Sequence, residues 1–509
     1  MNTSEHSGKP GKCLKQAQKR RNFALTALFW AIPAAFGLLF FFAAWWYRRT
    51  YGDTGFDSII YTLFSDLGGV QSGLLLSFGC YALLPAVLIT IGVYLLLCRN
   101  HALVLRLASL AVSVALVCTG AVMTGLPEYL YGMTNESTLF ENKYVDPETV
   151  DISFPEEKRN LIYIYLESME TSYLSEPLGG GQEDNLIPEL YTLAQQNLNF
   201  SNNGDVGGFL PVNGATWTIA AMVAHTSGVP LKTPPGVSEN DYGQADDGFL
   251  PGITSITDIL DDAGYYQTLM VGSVASFGGR RQYYTQHGAD YIYDLSTARK
   301  DGIVPRDYFV WWGMEDKYLF EYAKQELTEI SAQEEPFSFT LLTVDTHHIG
   351  GYVCEYCGEE HDEQYENVIS CSSRQVEEFV EWIQDQEFYE DTTIIITGDH
   401  PSMDNGYFDR NVEDSYTRRM YNCFINTPQD TPFDKNRQFS ALDMFPTTLA
   451  ALGCEIEGDY LGLGVNLFSG KPTLIESMGY DRFDRQLSMA SDFYAEEFRL
   501  EEVDVGNEE

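Results

Sequence analysis

A threonine at the start of a predicted helix is the first residue in this sequence that could do chemistry. Thr216 follows a loop rich in glycine, asparagine and proline, and it precedes residues 219–224, which are typical of a buried helix. Free backbone N–H groups and the helix dipole favour negative charge at such a position. The hydroxyl is either a nucleophile or a helix cap, since threonine is common at helix starts. The position alone leaves both interpretations open.

Acidic residues and histidines follow three predicted strands. They are Glu167 after residues 160–166, Asp345, His347 and His348 after residues 337–344, and Asp399 and His400 after residues 392–396. Ligands of an open α/β sheet bind outside the carboxyl ends of its strands, so these side chains are expected at one edge. Carboxylates, imidazoles and a hydroxyl suit a divalent cation of the manganese or zinc type. Taken singly, each could instead be a loop acid, a helix cap or a buried histidine.

Metal-assisted transfer of a phosphoryl group is the chemistry that these residues fit together. A cation bound to Thr216 Oγ would lower the pKa of the hydroxyl and neutralise the charge that builds on the phosphoryl oxygens. Arg280 and Arg281 follow a predicted strand at residues 267–272 and could grip phosphate oxygens, although they could also be a surface pair. His347 could protonate a leaving alkoxide.

An α/β domain is predicted to position these side chains. Continuous apolar runs are typical of buried parallel strands. The sequence predicts strands at 160–166, 267–272, 337–344 and 392–396, and helices at 187–197, 256–263, 316–332, 373–387 and 441–452. Alternation of strands and helices indicates a mostly parallel sheet with helices on both faces.

Three long uncharged segments precede this domain. Residues 23–47, 72–98 and 107–126 each reach the ~20 apolar residues that a transmembrane helix needs. Basic residues in the first 22 positions and in the turn after the second segment predict a cytoplasmic side for both. The predicted organisation is a basic cytoplasmic tail (1–22), a transmembrane domain (23–126), a linker (127–158), an extracytoplasmic catalytic domain (159–480) and an acidic C-terminal tail (481–509).

The charge balance excludes some partners. The chain has 73 Asp and Glu residues against 31 Lys and Arg residues. A phosphate backbone needs a basic face, so nucleic acid is not an expected partner. Docking to anionic lipid by charge alone is excluded for the same reason. A phosphate substrate would therefore be held by a metal ion or by a local arginine.

Five cysteines lie in the predicted outer domain, at positions 354, 357, 371, 423 and 454. Cys354, Cys357 and Cys371 could bind zinc, with His361 as a conceivable fourth ligand. Outside the cytoplasm, a local disulfide between two of these three is the stronger expectation. Spacing does not decide which pair would form.

Four motifs resemble those of the sulfatase-fold phosphoglycerol transferases. This group includes the lipoteichoic acid synthases and the phosphoglycerol transferase of membrane-derived glucan synthesis. The motifs are NLIYIYLESM at 160–169, GATWTIA at 214–220, TVDTH at 343–347 and TGDH at 397–400. The run TWTIAAM at 216–222, followed by SGVPL at 227–231, is most similar to the glucan enzyme. The resemblance covers roughly residues 155 to 470, and it implies an alkaline phosphatase/sulfatase-like fold.

The resemblance implies a role for each candidate residue. Thr216 corresponds to a nucleophile that becomes glycerophosphorylated. The implied ligands of a single divalent cation are Glu167, Thr216, Asp399 and His400, with Mn²⁺ favoured and Mg²⁺ or Zn²⁺ as alternatives. Arg280, His347 and Trp217 correspond to the substrate-binding positions. The donor would be phosphatidylglycerol in the bilayer, and the acceptor a hydroxyl of a cell-envelope glycan or glycolipid.

Differences between this sequence and the motifs of related enzymes narrow the predicted activity. The teichoic acid synthases carry an aromatic residue and an asparagine before the arginine, where this chain has Phe277-Gly278-Gly279. Three predicted spans rather than five also favour transfer to a glycan or glycolipid. Sulfatases need Pro at +2 and Arg at +4 from a Cys or Ser, and the run from Cys371 to Gln375 lacks both. Phosphoethanolamine transfer and a non-catalytic, glycan-binding surface domain are the alternatives.

Overall fold

The computed structural model of the protein describes residues 10–51, 56, 59, 72–100, 102–233, 240, 242 and 248–498. The first nine residues of the predicted basic tail, most of the connection between the first two predicted spans, and the last eleven residues of the predicted acidic tail lie outside this range. The described chain forms two compact units, one ending at Leu130 and the other beginning at Tyr131.

The N-terminal unit is helical. Its helices are α1 (Pro10–Tyr51), α2 (Ser72–Phe78), α3 (Leu84–Arg99) and α4 (Leu103–Met123), with a π-helical turn at Gly79–Leu83. Three stretches are long and apolar enough to cross a membrane, namely Arg21–Thr50, Leu75–Arg99 and Leu103–Met123. Many of their large apolar side chains are exposed, among them Phe29, Leu76 and Val104. An exposed apolar surface of this extent suits contact with lipid rather than water.

A seven-stranded sheet forms the centre of the second unit. Its strands are β1 (Asn160–Leu166), β2 (Gly208–Phe209), β3 (Tyr266–Val271), β4 (Tyr291–Tyr293), β5 (Phe337–Leu342), β6 (Thr392–Gly398) and β7 (Met420–Ile425), in the spatial order β2-β7-β6-β1-β5-β3-β4. The strands from β6 to β4 pair in parallel, whereas β7 and β2 pair in antiparallel fashion. The prediction of a mostly parallel sheet is confirmed.

Helices cover both faces of this sheet. The helices after α4 are α5 (Leu126–Thr134, which includes the boundary between the two units), α6 (Leu139–Lys143), α7 (Pro188–Gln196), α8 (Thr218–Ser227), α9 (Ile256–Asp262), α10 (Arg280–Gln286), α11 (Leu295–Asp301), α12 (Asp316–Ile330), α13 (Gln364–Gln384), α14 (Asn405–Asn411), α15 (Met444–Ala451), α16 (Leu474–Met478), α17 (Tyr480–Ser488) and α18 (Asp492–Glu497). Successive residues of β1 alternate between two cores: Leu161 and Tyr163 enter one, Ile162 and Ile164 the other. Because both faces of β1 are covered, the strand is apolar throughout.

The predicted acidic tail is wrong as far as residue 498. Helices α17 and α18 occupy most of that segment, and Phe483, Leu487, Tyr494 and Phe498 are buried against the core. The segment is rich in acidic residues, but its few apolar residues recur at helical spacing and lie on one face. Residues 481–498 therefore belong to the folded domain.

The predicted linker at 127–158 is also partly folded. It contains α6, in which Leu139 and Phe140 are buried. The Phe140 ring packs edge-on to the Tyr494 ring, with centroids 5.2 Å apart. The two ends of this unit therefore share one aromatic cluster, which the sequence pattern did not reveal.

Candidate active site

Glu167, Asp399 and His400 form what we call the carboxylate–histidine group. One ligand atom from each of them lies within 4.8 Å of the others, and all three residues are buried. The register of the sheet explains this proximity, because Leu166 at the end of β1 pairs with Gly398 at the end of β6. Glu167 and Asp399 therefore leave the sheet side by side, as predicted for residues at the carboxyl ends of neighbouring parallel strands.

Two small residues make this geometry possible. A Cβ on Gly398 would lie 1.8 Å from the carbonyl oxygen of Met169, so only glycine fits there. Ser168 has φ +57°, a conformation that non-glycine residues seldom adopt. This turn lets the Ser168 N–H donate to Asp399 Oδ1 at 2.8 Å and its hydroxyl donate to Glu167 Oε1 at 2.7 Å. Ser168 thus fixes both carboxylates, a role that the sequence analysis missed.

The hydrogen bonds of His400 determine which nitrogen faces the carboxylates. Nδ1 lies 3.0 Å from the carbonyl oxygen of Pro401 and must donate to it, so Nε2 carries the lone pair in the neutral ring. Nε2 lies 3.3 Å from Asp399 Oδ2 and 3.7 Å from Glu167 Oε1. Asp399 Oδ2 is buried and makes no hydrogen bond with the described residues. Three electron-rich atoms therefore face one another, an arrangement that fits a divalent cation.

The pKa values of this group reflect mutual charge as well as burial. Burial raises the pKa of Asp399 to about 7, and the nearby Glu167 charge adds to the shift. Burial also acts to raise the pKa of Glu167, but the charges of His347 and His400 outweigh it and hold that pKa below its usual value. Burial acts to lower the pKa of His400, and Asp399 and Glu167 reverse the shift. Positive charge is therefore favoured at the centre of the group.

A threonine hydroxyl contacts this group, and it belongs to Thr218 rather than to the predicted Thr216. Helix α8 begins at Thr218, with Trp217 at the N-cap. Thr218 Oγ1 lies 3.3 Å from His400 Nε2, whereas Thr216 precedes the helix by two residues. The motif contains both threonines, and only the position of the helix start distinguishes them. The immediate onset of the apolar run after Thr218 was the available signal.

Arg280 and His347 supply further polar groups within electrostatic reach. Arg280 begins α10, is buried, and donates to the carbonyl oxygens of Phe277 and Val274 and to the hydroxyl of Ser273. Its charge helps to lower the pKa of Glu167. His347 lies in the loop after β5, and burial lowers its pKa although Glu167 acts in the opposite direction.

The orientation of the His347 ring is fixed by its neighbours. Nδ1 lies 2.9 Å from the carbonyl oxygen of His348, so Nδ1 carries the proton and Nε2 the lone pair in the neutral ring. The ring packs 4.5 Å from that of Trp312 and 4.4 Å from that of His348, measured between centroids. His348 therefore helps to fix the orientation of the His347 ring, through its carbonyl oxygen and its own ring.

Other predicted residues have structural contacts instead. Asp345 Oδ2 accepts the N–H of Asp316, and both carboxylate oxygens of Asp316 accept backbone N–H groups from the loop after β5. The Arg281 guanidinium forms an ion pair with the Asp294 carboxylate, with Nη2 2.9 Å from Oδ2. Trp217 is partly buried and packs against the core. Asp345 and Arg281 thus support the loops that carry the site.

One family model matches more than half of this chain. The Sulfatase family model matches residues 159–454. This chain belongs to the sulfatase family. The family's fold, with its mostly parallel central sheet, is the one described above.

Relatives of this chain carry the name phosphoglycerol transferase I. A phosphoglycerol transferase I of Xanthomonas euvesicatoria is 34% identical over 258 residues, which is 50% of this chain and 35% of the relative. A phosphoglycerol transferase I of Escherichia coli is 28% identical over 431 residues, covering 82% of this chain and 54% of the relative. The chain therefore spans between about a third and about half the length of these relatives.

Solved structures with similar folds are more distant in sequence. The lipoteichoic acid synthase LtaP from Listeria monocytogenes is 18% identical, with a TM-score of 0.48 over 63% of this chain and 79% of the other. The phosphoethanolamine transferase EptA from Neisseria meningitidis is 13% identical, with a TM-score of 0.49 over 83% of this chain and 84% of the other.

Proposed function

We propose that this protein is a membrane-anchored, metal-dependent phosphoglycerol transferase that forms a glycerophosphoryl-threonine. The observation that carries the proposal is the contact of Thr218 Oγ1 with His400 Nε2, at 3.3 Å, beside two buried carboxylates. The names of the relatives support phosphoglycerol as the transferred group. Thr218 takes the nucleophilic role that the sequence analysis gave to Thr216.

Glu167, Asp399 and His400 would hold one divalent cation, with Thr218 beside them. Enzymes of this family use a divalent metal, and the orphaned Asp399 Oδ2 fits one. The cation would lower the pKa of the bound hydroxyl and offset charge on the phosphoryl oxygens. Mn²⁺ remains the proposed ion, since carboxylate and imidazole ligands suit it.

Transfer takes two displacements at phosphorus. In the first, Thr218 Oγ bonds to the phosphorus of phosphatidylglycerol and the bond to the diacylglycerol oxygen breaks. His347, in its form protonated at Nε2, delivers that proton to the departing oxygen, and the proton of the Thr218 hydroxyl passes to solvent. The ring is already oriented by Trp312 and the carbonyl of His348. Arg280 steadies the phosphoryl oxygens. In the second, an acceptor hydroxyl of a glycan or glycolipid attacks the same phosphorus and gives its proton to His347 Nε2. The bond from phosphorus to Thr218 Oγ breaks, and that oxygen takes up a proton from solvent to restore the hydroxyl.

The three apolar helices would keep the catalytic unit near its lipid donor. We propose that residues 131–498 lie on the extracytoplasmic side, as the distribution of basic residues around the spans predicts. In that location the donor headgroups and the envelope acceptors are on the same side of the membrane. Accessibility of residues in the second unit to a membrane-impermeant reagent in intact cells tests this part.

The two threonines allow a matched test. Full-length Thr218→Ala and Thr216→Ala variants are incubated with headgroup-labelled phosphatidylglycerol, and diacylglycerol release and the protein adduct are measured. We expect a glycerophosphoryl adduct on Thr218 in the parent protein, and loss of adduct and turnover in Thr218→Ala alone. An adduct on Thr216, or parent-rate turnover by Thr218→Ala, contradicts the assignment. Reaction with labelled phosphatidylethanolamine instead of phosphatidylglycerol would favour the phosphoethanolamine alternative.

A further inference from the structure

Three cysteines of the second unit form a compact cluster outside the candidate active site. Cys354 and Cys357 lie in the loop between β5 and α13, and Cys371 lies within α13. Cys354 Sγ is 3.7 Å from Cys357 Sγ and 3.7 Å from Cys371 Sγ, and all three Sγ atoms lie within 4.8 Å of one another. All three are free thiols, so the disulfide expected from the sequence is not formed. We call these residues the cysteine cluster.

The backbone around Cys354 and Cys357 directs N–H groups at sulfur. The N–H of Tyr356 donates to Cys354 Sγ at 3.4 Å, and a turn closes where the Cys357 N–H donates to the carbonyl oxygen of Cys354 at 3.2 Å. On α13, Gln375 Nε2 donates to Cys371 Sγ at 3.4 Å. Donors aimed at sulfur stabilise thiolate over thiol, and such outer contacts commonly orient metal ligands.

The spacing of the sulfur atoms matches one type of occupant. Zinc binds thiolate at about 2.3 Å with tetrahedral angles, which places two bound sulfurs about 3.8 Å apart. A disulfide needs about 2.05 Å. The two separations of 3.7 Å therefore agree with the edges of a zinc tetrahedron. Sulfur ligands also select zinc over manganese or magnesium, and two cysteines separated by two residues are a common half of a zinc site.

We propose that Cys354, Cys357 and Cys371 bind a structural Zn²⁺ as three thiolates. Cys354 and Cys371 are buried and Cys357 is half-buried, so solvent can supply the fourth ligand beside Cys357. His361 is not that ligand, because its Nε2 lies 3.1 Å from Ser370 Oγ and the residue is outside the group of nearby donor atoms.

The zinc ion would hold the loop that carries His347. The loop leaves β5, passes His347, and reaches Cys354. The Tyr352 N–H donates to the carbonyl oxygen of Asp345 at 2.7 Å, and the Tyr365 hydroxyl of α13 donates to that of Thr346 at 3.0 Å. Bonding Cys354 to Cys371 through zinc would tie the far end of this loop to the same helix. The ion would thus support the active site without touching substrate.

The test uses a reagent that distinguishes thiolate-bound metal. Full-length protein in detergent is purified without chelator and treated with an organomercurial, which displaces metal from sulfur and leaves carboxylate ligands intact. We expect one zinc per chain to be released from the parent protein. In the parent protein, peptide mass spectrometry should show these three cysteines protected from alkylation at first. They should become alkylated after the mercurial has displaced the zinc and excess dithiol has stripped the mercury from the sulfurs.

Variants provide the matched control. Cys354→Ser and Cys371→Ser should lose the releasable zinc, whereas Cys423→Ser should keep it, because Cys423 is a buried cysteine in β7 outside the cluster. A disulfide joining any two of the three cysteines in the parent protein, or release of no zinc by the mercurial, overturns the proposal. Since both readouts come from the parent protein, a variant that fails to fold does not prevent a decision.

Discussion

The carboxylate–histidine group and the cysteine cluster lie in the same unit but use different donor atoms. The first gathers two oxygens and a nitrogen from the ends of β1 and β6, where the pairing of Leu166 with Gly398 sets the distance. The second gathers three sulfurs from a loop and a helix, where a tight turn sets the distance. The first has a hydroxyl beside it, and the second has N–H groups directed at its sulfurs.

This difference indicates what each group is for. Oxygen and nitrogen ligands at a sheet edge, next to a helix N-terminus, suit an ion that acts on a phosphate ester. Sulfur ligands with N–H donors suit an ion that holds chain segments together. If the assignment is right, changes to one group should leave the metal of the other in place.

Removing a ligand from the carboxylate–histidine group should have the largest effect. In Asp399→Asn the amide keeps the shape but loses the charge that opposes the cation. We expect turnover of phosphatidylglycerol to fall about a thousandfold, since metal catalysis contributes several kcal/mol. The mercurial-releasable zinc should stay at the parent value. Parent-rate turnover would contradict a catalytic role for the carboxylate–histidine group, and loss of that zinc would show that the two groups do not bind metal independently.

Removing a support of the same group should have a smaller effect. Ser168→Ala deletes the hydroxyl that donates to Glu167 Oε1. We expect the affinity for the activating cation to fall about 10- to 100-fold, as is usual for such outer contacts. Activity measured against buffered free metal checks this. Ser172→Ala is the control, because this buried serine donates to Glu170 instead. Equal shifts in both variants would refute a specific role for Ser168.

The cysteine cluster should respond to its own outer contact. Gln375→Leu deletes the donor to Cys371 Sγ while keeping the helix. We expect zinc to be lost at roughly tenfold lower chelator concentration, with no change in phosphatidylglycerol turnover at saturating metal. Gln384→Leu, an exposed position at the end of the same helix, should behave as the parent. If Gln375→Leu loses zinc at the same chelator concentration as the parent protein, the Gln375 side chain does not contribute to zinc binding.

A change remote from both groups should alter stability alone. The Tyr494 hydroxyl donates to the carbonyl oxygen of Pro230 at 2.7 Å and accepts the N–H of Lys232 at 3.1 Å. Tyr494→Phe should lower the free energy of unfolding by about 1 kcal/mol, the usual value of such a bond. Denaturant unfolding in detergent measures this. Both metal contents should match the parent, and a selective loss of either would show unexpected coupling.

Strands β1, β3, β5 and β6 were predicted to within two residues at each end, whereas β2, β4 and β7 were not predicted. The bounds of β1 match the prediction, because a strand covered on both faces is apolar at every position. Helix α13 begins at Gln364, earlier than predicted. Its start was missed because the first half of the helix is rich in serine and other polar residues, which are buried in the folded domain. Helices α17 and α18 were missed because their apolar residues are few and lie among acids.

The sequence placed Glu167, Asp399 and His400 at one edge of the sheet, because residues that follow parallel strands emerge at the same edge, but the adjacency of β1 and β6 that brings them together is seen only in the folded sheet. It did not determine which threonine joins them, since that depends on where α8 begins and on how its first turn faces His400. Nor did it determine the state of the cysteines, because sulfur separations are set by how the loop after β5 packs on α13. The sequence shows which residues follow each strand and therefore lie at the edge of the sheet. The distances between side chains that come from different strands, helices and loops depend on how these elements pack.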